Sequence, residues 1–164
     1  MPIDGGTFKR VGRATAGAVS VISAYDRAGD DIVALTASSF VTLSYDPPLA
    51  MFAIQHSADS YTSMVGSKAF GVSLLAADQA DVARQFARKG RDKIAGTSFD
   101  RGSVIGVPLI PGALAHIECR TNQVVTSGDH AIIVGLIEAS RERDGQPLIY
   151  FARRYGSFLP SADP

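Results

Sequence analysis

Short apolar segments recur along the chain, and they constrain its fold more than any other feature. They are partly β-branched and are bounded by Gly, Pro, Asp or Ser, which is typical of buried strands. These segments are residues 17–24 (GAVSVISA), 49–55 (LAMFAIQ), 69–75 (AFGVSLL), 130–139 (HAIIVGLIEA) and the shorter 148–151 (LIYF). In residues 115–120, Ala115, Ile117 and Cys119 alternate with polar residues, and this period of two predicts a strand with one buried face.

Helical patterns are few. The best one is predicted over residues 79–89, with Asp78 as N-cap and Gly90 at the end. Weaker patterns cover residues 7–14 and 60–65. Many strands with short connections predict a mainly β fold, a closed or partly closed antiparallel barrel, because closure removes exposed strand edges.

The chain is expected to form one domain over residues 1–164. Hydrophobic residues make up 46% of it, a proportion typical of globular proteins rather than disordered ones. No linker divides the sequence, and residues 96–112 are interpreted as a long surface loop.

Charge and cysteine content exclude several classes of function. Sixteen basic residues balance sixteen acidic ones, so no overall field attracts nucleic acid or an anionic membrane, and a neutral surface tolerates self-association. Cys119 is the only cysteine, which excludes an internal disulfide and Cys-rich metal sites. The three histidines, His56, His116 and His130, lack metal-ligand spacing, so no metal site is expected.

Neither a membrane span nor a signal peptide is predicted. No apolar run approaches the ~20 residues that cross a bilayer, and the N-terminus lacks the charged-then-apolar layout of a leader. The expected location is therefore the cytoplasm. The Walker A, GxGxxG, HExxH and GxSxG motifs are also absent, which removes the main support for kinase and hydrolase functions. No residue is assigned as a catalytic acid, base or nucleophile.

Two local motifs remain as candidates for binding. Residues 36–40 (TASSF) precede residues 44–48 (SYDPP); small side chains allow close approach of a ligand, and hydroxyl and amide groups can donate to ring carbonyls or a phosphate. A Ser/Thr-rich turn stopped by proline explains the same pattern. Residues 128–130 (GDH) open an apolar strand, and they too could be only a turn followed by a surface or core histidine.

Taken together, these motifs and residues 150–156 (YFARRYG) resemble the flavin reductase family in order and spacing. The resemblance extends over about residues 7–158, and residues 86–90 (FARKG), Asp92-Lys93 and residues 112–115 (GALA) also match the family's middle segment. Ile94 departs from the pattern, since an aromatic residue is common there.

The resemblance implies a Greek-key-like, FMN-binding split β-barrel that forms a homodimer. It also implies an NAD(P)H:flavin oxidoreductase, in which NADH or NADPH reduces FMN or FAD and a separate oxygenase component receives the reduced flavin. Such a reaction needs no acid–base pair, because hydride passes directly between two stacked rings. Two alternatives stay open: a flavin-binding electron carrier of the same barrel type, and a reductase of a bound ferric chelate or metal-corrin.

The family's site residues carry over by position. The resemblance assigns Thr36, Ala37, Ser38, Ser39 and Phe40 to the isoalloxazine and ribityl chain, and Ser57, Ser60 and Lys89 to the phosphate. It assigns Asp129 and His130 to the nicotinamide side, with Arg154 and Tyr155 as pocket wall.

Structural roles compete with some of these assignments. Ser57 and Ser60 could cap the short helix. Lys89 could be a solvated helix end. Arg154 and Tyr155 could form a cation–aromatic pair at the dimer edge.

Overall fold

A computed structural model describes residues 1–26, 29 and 31–161 of the chain. Its helices are α1 (Gly5–Ala14), α2 (Tyr61–Gly66), α3 (Ala80–Ala87) and a 3₁₀ helix (Asp92–Ile94). Its strands are β1 (Gly17–Ala18), β2 (Ser20–Tyr25), β3 (Ile32–Ala37), β4 (Val41–Ser44), β5 (Leu49–Gln55), β6 (Ala69–Leu74), β7 (Asp100–Arg101), β8 (Pro108–Leu109), β9 (Ala115–Ser127), β10 (His130–Glu142), β11 (Leu148–Phe151) and β12 (Arg154–Ser157). Within these described residues, no helix is both long enough and apolar enough to cross a membrane.

A seven-stranded antiparallel sheet forms the body of the fold, in the order β3-β2-β6-β9-β10-β5-β4. The sheet curls until β3 lies beside β5, yet these two strands share no ladder among the described residues. The prediction of a mainly β barrel is confirmed, and the barrel is split rather than closed. Residues 38–40 connect β3 to β4, so this short connection joins the two ends of the sheet.

Both faces of the sheet are covered near β2, which explains why five of its six residues are buried, the serines Ser20 and Ser23 included. Ile22 belongs to the core inside the curled sheet, where Phe52 and Phe70 meet edge to face at 5.2 Å. Val21, on the other face of β2, packs with Phe86 of α3 and with Leu148 of β11. Polar and apolar residues do not alternate in such strands, because neither face is exposed to water.

The hairpin of β9 and β10 is longer than predicted. Each strand has 13 residues, and the part near the turn, including Val124 and Val125, is exposed. A bulge lies between Val134 and Gly135. A Cβ on Gly135 would lie 2.5 Å from Cζ of Phe70, so only glycine fits against that ring without displacement.

The predicted N-cap of α3 is wrong. The residue before the helix is Gln79, not Asp78, and its side chain does not cap the helix. Instead, the Gln79 side chain accepts a hydrogen bond from the backbone N–H of Ala76 (3.0 Å) and donates one to the carbonyl of Pro111 (2.8 Å). These two bonds fasten the start of α3 to the neighbouring loops, which sets the helix boundary in place of a cap.

Candidate functional site

A trough lies along the split between β3 and β5, and we call it the seam trough. Its volume is about 450 Å³, within the ordinary range for small-molecule sites. The trough is lined by residues 35–39, residues 53–55, residues 57–60, residues 86–89, Lys93 and His130.

Two hydroxyl side chains, Thr36 at the end of β3 and Ser39 in the connection that follows, make hydrogen bonds at the seam. Thr36 donates its hydroxyl to the carbonyl of Ala83 in α3 at 2.7 Å. The Ser39 hydroxyl accepts from the N–H of Ala53 at 3.0 Å and donates to the carbonyl of Ala53 at 3.2 Å. Both hydroxyls therefore hold β3 against its neighbours, and Ser38, which is exposed, keeps the side chain best placed to meet a ligand.

Basic side chains occupy one wall of the trough. Arg88 and Lys89 follow α3 and are exposed, whereas Lys93 in the 3₁₀ helix is only 6% exposed. The Lys93 ammonium donates to the carbonyls of Arg88 (3.2 Å) and Phe86 (3.5 Å). Burial lowers the pKa of Lys93, and the charges of Asp59 and Asp92 oppose that shift.

The segment before α2 faces the basic wall. Ser60 is 4% exposed, and its hydroxyl does not cap α2. Within the described part of the chain, that hydroxyl has no hydrogen-bond partner. Asp59 accepts a hydrogen bond from the N–H of Gly90 at 2.5 Å, which ties this segment to the turn between α3 and Lys93.

His130 lines the trough from the β10 side, because β10 and β3 lie on different sides of β5. Its Nδ1 lies 2.7 Å from a carboxylate oxygen of Asp129. A carboxylate only accepts, so Nδ1 carries the proton and Nε2 remains for a ligand. The hydrogen bond from His130 lowers the pKa of Asp129.

Eight of the twelve predicted site residues line the seam trough directly: Thr36, Ala37, Ser38, Ser39, Ser57, Ser60, Lys89 and His130. Asp129 reaches the trough through His130. Phe40 instead packs partly buried against the core.

The structure does not bring the last two predicted residues, Arg154 and Tyr155, to the trough of the same chain. They line a separate groove with Ile149 and Phe151. The guanidinium over the Tyr155 ring is that of Arg84, 5.5 Å from the ring centroid, and Tyr150 packs against the same ring at 5.2 Å. A cation–aromatic pair is thus present, with Arg84 of α3 as the cation.

Sequence reasoning missed Lys93 and Asp59 as site residues. Lys93 stood only within a matched motif, and nothing in the local pattern of residues 90–95 (GRDKIA) distinguishes a buried lysine from a solvated one. The distinction depends on α3, whose Gln85 side chain donates to the carbonyl of Lys93 at 2.6 Å and fixes the 3₁₀ helix beneath it.

Comparison with known proteins decides the family. Residues 11–159 match the family described as flavin reductase like domain. The chain belongs to the flavin reductase family. The resemblance inferred from the sequence motifs is thereby confirmed.

The relatives of this flavin reductase-like chain carry different names. It is 38% identical over 149 residues to the reductase component of 4-hydroxyphenylacetate 3-monooxygenase from Thermus thermophilus, covering 90% of this chain and 93% of that protein. It is 37% identical over 145 residues to actinorhodin polyketide dimerase from Streptomyces coelicolor, covering 88% and 81%. The structure of the NADH:FAD oxidoreductase SgcE6 from Streptomyces globisporus, in complex with NAD and FAD fragments, superposes with a TM-score of 0.89 at 28% identity, over 99% of each chain.

Proposed function

We propose that the protein is an NAD(P)H-dependent flavin reductase that passes reduced FMN or FAD to a separate oxygenase component. The observation that carries the proposal is the seam trough, which gathers eight of the predicted flavin and nicotinamide residues in one cleft. Two of the proteins named above, the monooxygenase reductase component and the NADH:FAD oxidoreductase, support it.

The residues of the trough fit a flavin. The strand edges of β3 and β5 form a slot for a flat ring, and Ser38 adds a neutral hydroxyl beside it. The basic wall and the unpartnered hydroxyl of Ser60 suit an anionic substituent. Asp59, the acidic residue that also lines the trough, is held by the N–H of Gly90.

The chemistry comes from the two nucleotides. A flavin supplies the ring that accepts hydride from the nicotinamide, and one proton from water completes its two-electron reduction. This chain's part is to hold the two rings in contact. The Asp129 carboxylate fixes the His130 ring, so that its Nε2 is presented to a nicotinamide entering from the β10 side.

We also propose that the protein forms a homodimer, in which the second copy completes the site. On α1, which has no buried residue, Phe8 and Val11 are exposed; apolar side chains are also exposed on β4 and on the β9–β10 hairpin. Exposed apolar surface of this kind marks contact sites. Arg154 and Tyr155 do not line the trough of their own chain. In the homodimer they would instead line the trough of the partner subunit.

The test is NADH or NADPH oxidation with free FMN or FAD added in large excess over the protein. Many turnovers per protein molecule are expected, with reduced flavin appearing in solution under anaerobic conditions. Reduction that stops at one equivalent of flavin per protein would identify an electron carrier instead. Turnover that requires an added ferric chelate or corrin would favour the third function.

A further inference from the structure

We infer that the protein has a second small-molecule site, apart from the seam trough, that binds a hydroxycarboxylate through Arg101 and Arg141. The site is a cavity of about 410 Å³ between the β9–β10 hairpin and the segment that contains β7, and we call it the hairpin cavity. It is lined by residues 100–103, Leu109, His116, Glu118 and residues 139–141. The inference goes beyond the proposed function and does not depend on it.

The hairpin cavity is remote from the seam trough. The two have no lining residue in common. His130 and Arg141 lie near opposite ends of β10, and at ~3.3 Å per residue they are roughly 35 Å apart along the strand. A molecule in the hairpin cavity is therefore not part of a flavin or nicotinamide held in the trough.

Two arginines of the cavity are without a partner. The guanidinium groups of Arg101 and Arg141 form neither a salt bridge nor a hydrogen bond with any residue that the structure describes. The other arginines of the hairpin are engaged: Arg120 binds Glu138 at 2.6 and 3.0 Å, and Arg143 donates to carbonyls of the loop before β9. Because a guanidinium binds a carboxylate through parallel N–H···O bonds, the cavity offers two unused groups for an anion.

Hydrogen-bond acceptors line the cavity beside these cations. His116 lies directly opposite Arg141 in the ladder of β9 and β10, so the two side chains share one face of the sheet. Its Nε2 is 2.7 Å from the carbonyl oxygen of Ile110; since a carbonyl only accepts, Nε2 carries the proton and Nδ1 of the neutral ring remains an acceptor. The carboxylate of Asp100 is a second acceptor in the same cavity. A ligand that satisfies both sets of groups carries an anion for the arginines and hydroxyls for the acceptors.

The cavity is formed before a ligand arrives. Arg101 lies against Gly106, where an added Cβ would be 2.9 Å from the arginine Nε. Glu118 holds the backbone N–H groups of residues 104–106, and the Ser73 hydroxyl accepts from the backbone just after β8 at 2.8 Å. The segment that carries Arg101 is thus fastened to β6 and β9, so binding a ligand costs little conformational freedom.

Charge favours a carboxylate over a phosphate. The lining includes two cations and the carboxylates of Asp100 and Glu118, and the Glu118 carboxylate is already compensated by the N–H groups it holds. Arg101 and Arg141 therefore exceed the remaining Asp100 by one positive charge. One carboxylate neutralises that excess, whereas a doubly charged phosphate would add negative charge close to Asp100 and Glu118 and be repelled.

Arg101 and Arg141 could instead be solvated surface arginines, since both are exposed. The two roles predict different ligand behaviour. Solvated arginines attract all small anions alike and weakly, and salt screens the attraction. A binding site distinguishes a hydroxycarboxylate from the same molecule without its carboxylate and from a carboxylate without hydroxyls.

The experiment is an NMR titration of isotopically labelled protein with gluconate, glucose, acetate and inorganic phosphate at constant ionic strength, without flavin or nicotinamide. Gluconate should shift the amide signals of residues 100–103 and 139–141 with a Kd on the order of 1 mM, as expected for a ligand of about 13 non-hydrogen atoms. Glucose, which lacks the carboxylate, and acetate, which lacks the hydroxyls, should bind at least about tenfold more weakly.

Arg101→Gln and Arg141→Gln should each weaken gluconate binding about 5- to 20-fold, the loss of one charge-assisted hydrogen bond. Both variants should keep the FMN affinity of the wild type, because neither residue lines the trough. Arg153→Gln is the matched control: it removes the same charge from an exposed turn outside both cavities and should change nothing.

Gluconate binding no tighter than that of acetate or glucose would overturn the inference, and so would tighter binding of phosphate or an equal loss in Arg153→Gln. Displacement of gluconate by FMN would place the carboxylate in the seam trough and overturn it as well. If Arg101→Gln does not fold, Arg141→Gln decides by the same comparison. Because the titration contains no flavin, gluconate binding by a protein without reductase activity would refute only the proposed function.

Discussion

At the scale of single residues, Ser39 joins two strands that share no backbone ladder. Its hydroxyl both accepts from and donates to the backbone of Ala53, where a neighbouring strand would otherwise supply those bonds. The Ser39 side chain thus bridges the seam at Ala53, whereas β3 and β5 themselves form no ladder among the described residues.

Changing Ser39 to Ala should therefore lower the free energy of unfolding by about 0.5–1.5 kcal/mol, the usual contribution of an exposed hydrogen bond of this kind. Flavin binding should weaken as well, because the seam loses its fixed width. Urea unfolding and flavin titration measure the two effects. Ser38→Ala is the matched control: it removes a hydroxyl one residue away that holds no strand, so stability should be unchanged and only flavin affinity should fall. Equal stability of both variants would contradict the bridging role.

His130 is the residue on which a nicotinamide role depends. His130→Ala should lower kcat/KM for NAD(P)H roughly 5- to 30-fold, the loss of one binding contact of about 1–2 kcal/mol. Flavin affinity should hardly change, because the basic wall and the β3 edge are untouched. Stopped-flow reduction of flavin-loaded protein isolates this step.

His56→Ala serves as the comparison for His130. His56 neighbours the same turn, where its N–H donates to the carbonyl of Asp129, but its ring packs on Tyr61 at 5.0 Å and does not line the trough. The rate of flavin reduction in the His56→Ala variant should match that of the wild type. If His130→Ala kept the wild-type rate and only lowered Tm, His130 would be a structural histidine.

At the scale of elements, Glu118 organises the loop between β7 and β8. This glutamate of β9 is 4% exposed and accepts hydrogen bonds from the backbone N–H groups of Val104 (3.0 Å), Ile105 (2.6 Å) and Gly106 (3.1 Å). Burial alone would raise the pKa of Glu118, but these bonds outweigh it and the pKa is lowered. The prediction of a long surface loop at residues 96–112 is therefore wrong in part, because the segment contains β7 and β8, buries residues 106–110 and is ordered around a carboxylate from the main sheet.

Glu118→Gln should destabilise the protein by about 1.5–3 kcal/mol near pH 7, because an amide replaces one accepting oxygen with a donor that faces N–H groups. A carboxylate with a lowered folded-state pKa contributes fully above its unfolded pKa and loses that contribution as pH falls through the folded value. The gap between wild type and variant should thus be constant above about pH 5 and shrink in acid below 4.5, the ordinary value. Denaturant unfolding across pH measures it, and a gap independent of pH would refute the assignment.

The sequence predicts some elements closely and others poorly, for physical reasons. The strands at residues 49–55 and 148–151 match β5 and β11, and a proline directly precedes each of them, Pro48 and Pro147. By contrast, β9 extends to Ser127, past the predicted residues 115–120. Its last part is exposed, and its apolar residues Val124 and Val125 are adjacent and do not alternate with polar ones, so no pattern reveals it. The burial of Lys93 depends on how α3 packs against the sheet, which no local pattern encodes.

At the scale of the whole molecule, apolar side chains remain exposed on several elements of one chain. Phe8 is 68% exposed, and Tyr45, just after β4, is 96% exposed. With no net charge to oppose association, these surfaces are the expected contacts of the proposed homodimer, whose interface should bury about 2,000 Å² or more.

Sedimentation should accordingly give a dimer at micromolar concentration. Phe8→Glu with Val11→Glu should shift it toward monomer and lower activity, because charges would enter an apolar contact. Lys9→Glu, in the same helix among exposed residues, controls for added negative charge. A fully active monomer would show that one chain holds the complete site.

Every open strand edge is also a template on which a foreign strand can add, and this is the common route from a native sheet to an aggregate. The seam exposes such edges on β3 and β5, and Ser39 already occupies the N–H and the carbonyl of Ala53. These two backbone groups of β5 are therefore not available to a strand of another molecule. The serine that bridges the seam thus also shortens the edge on which a foreign strand could add.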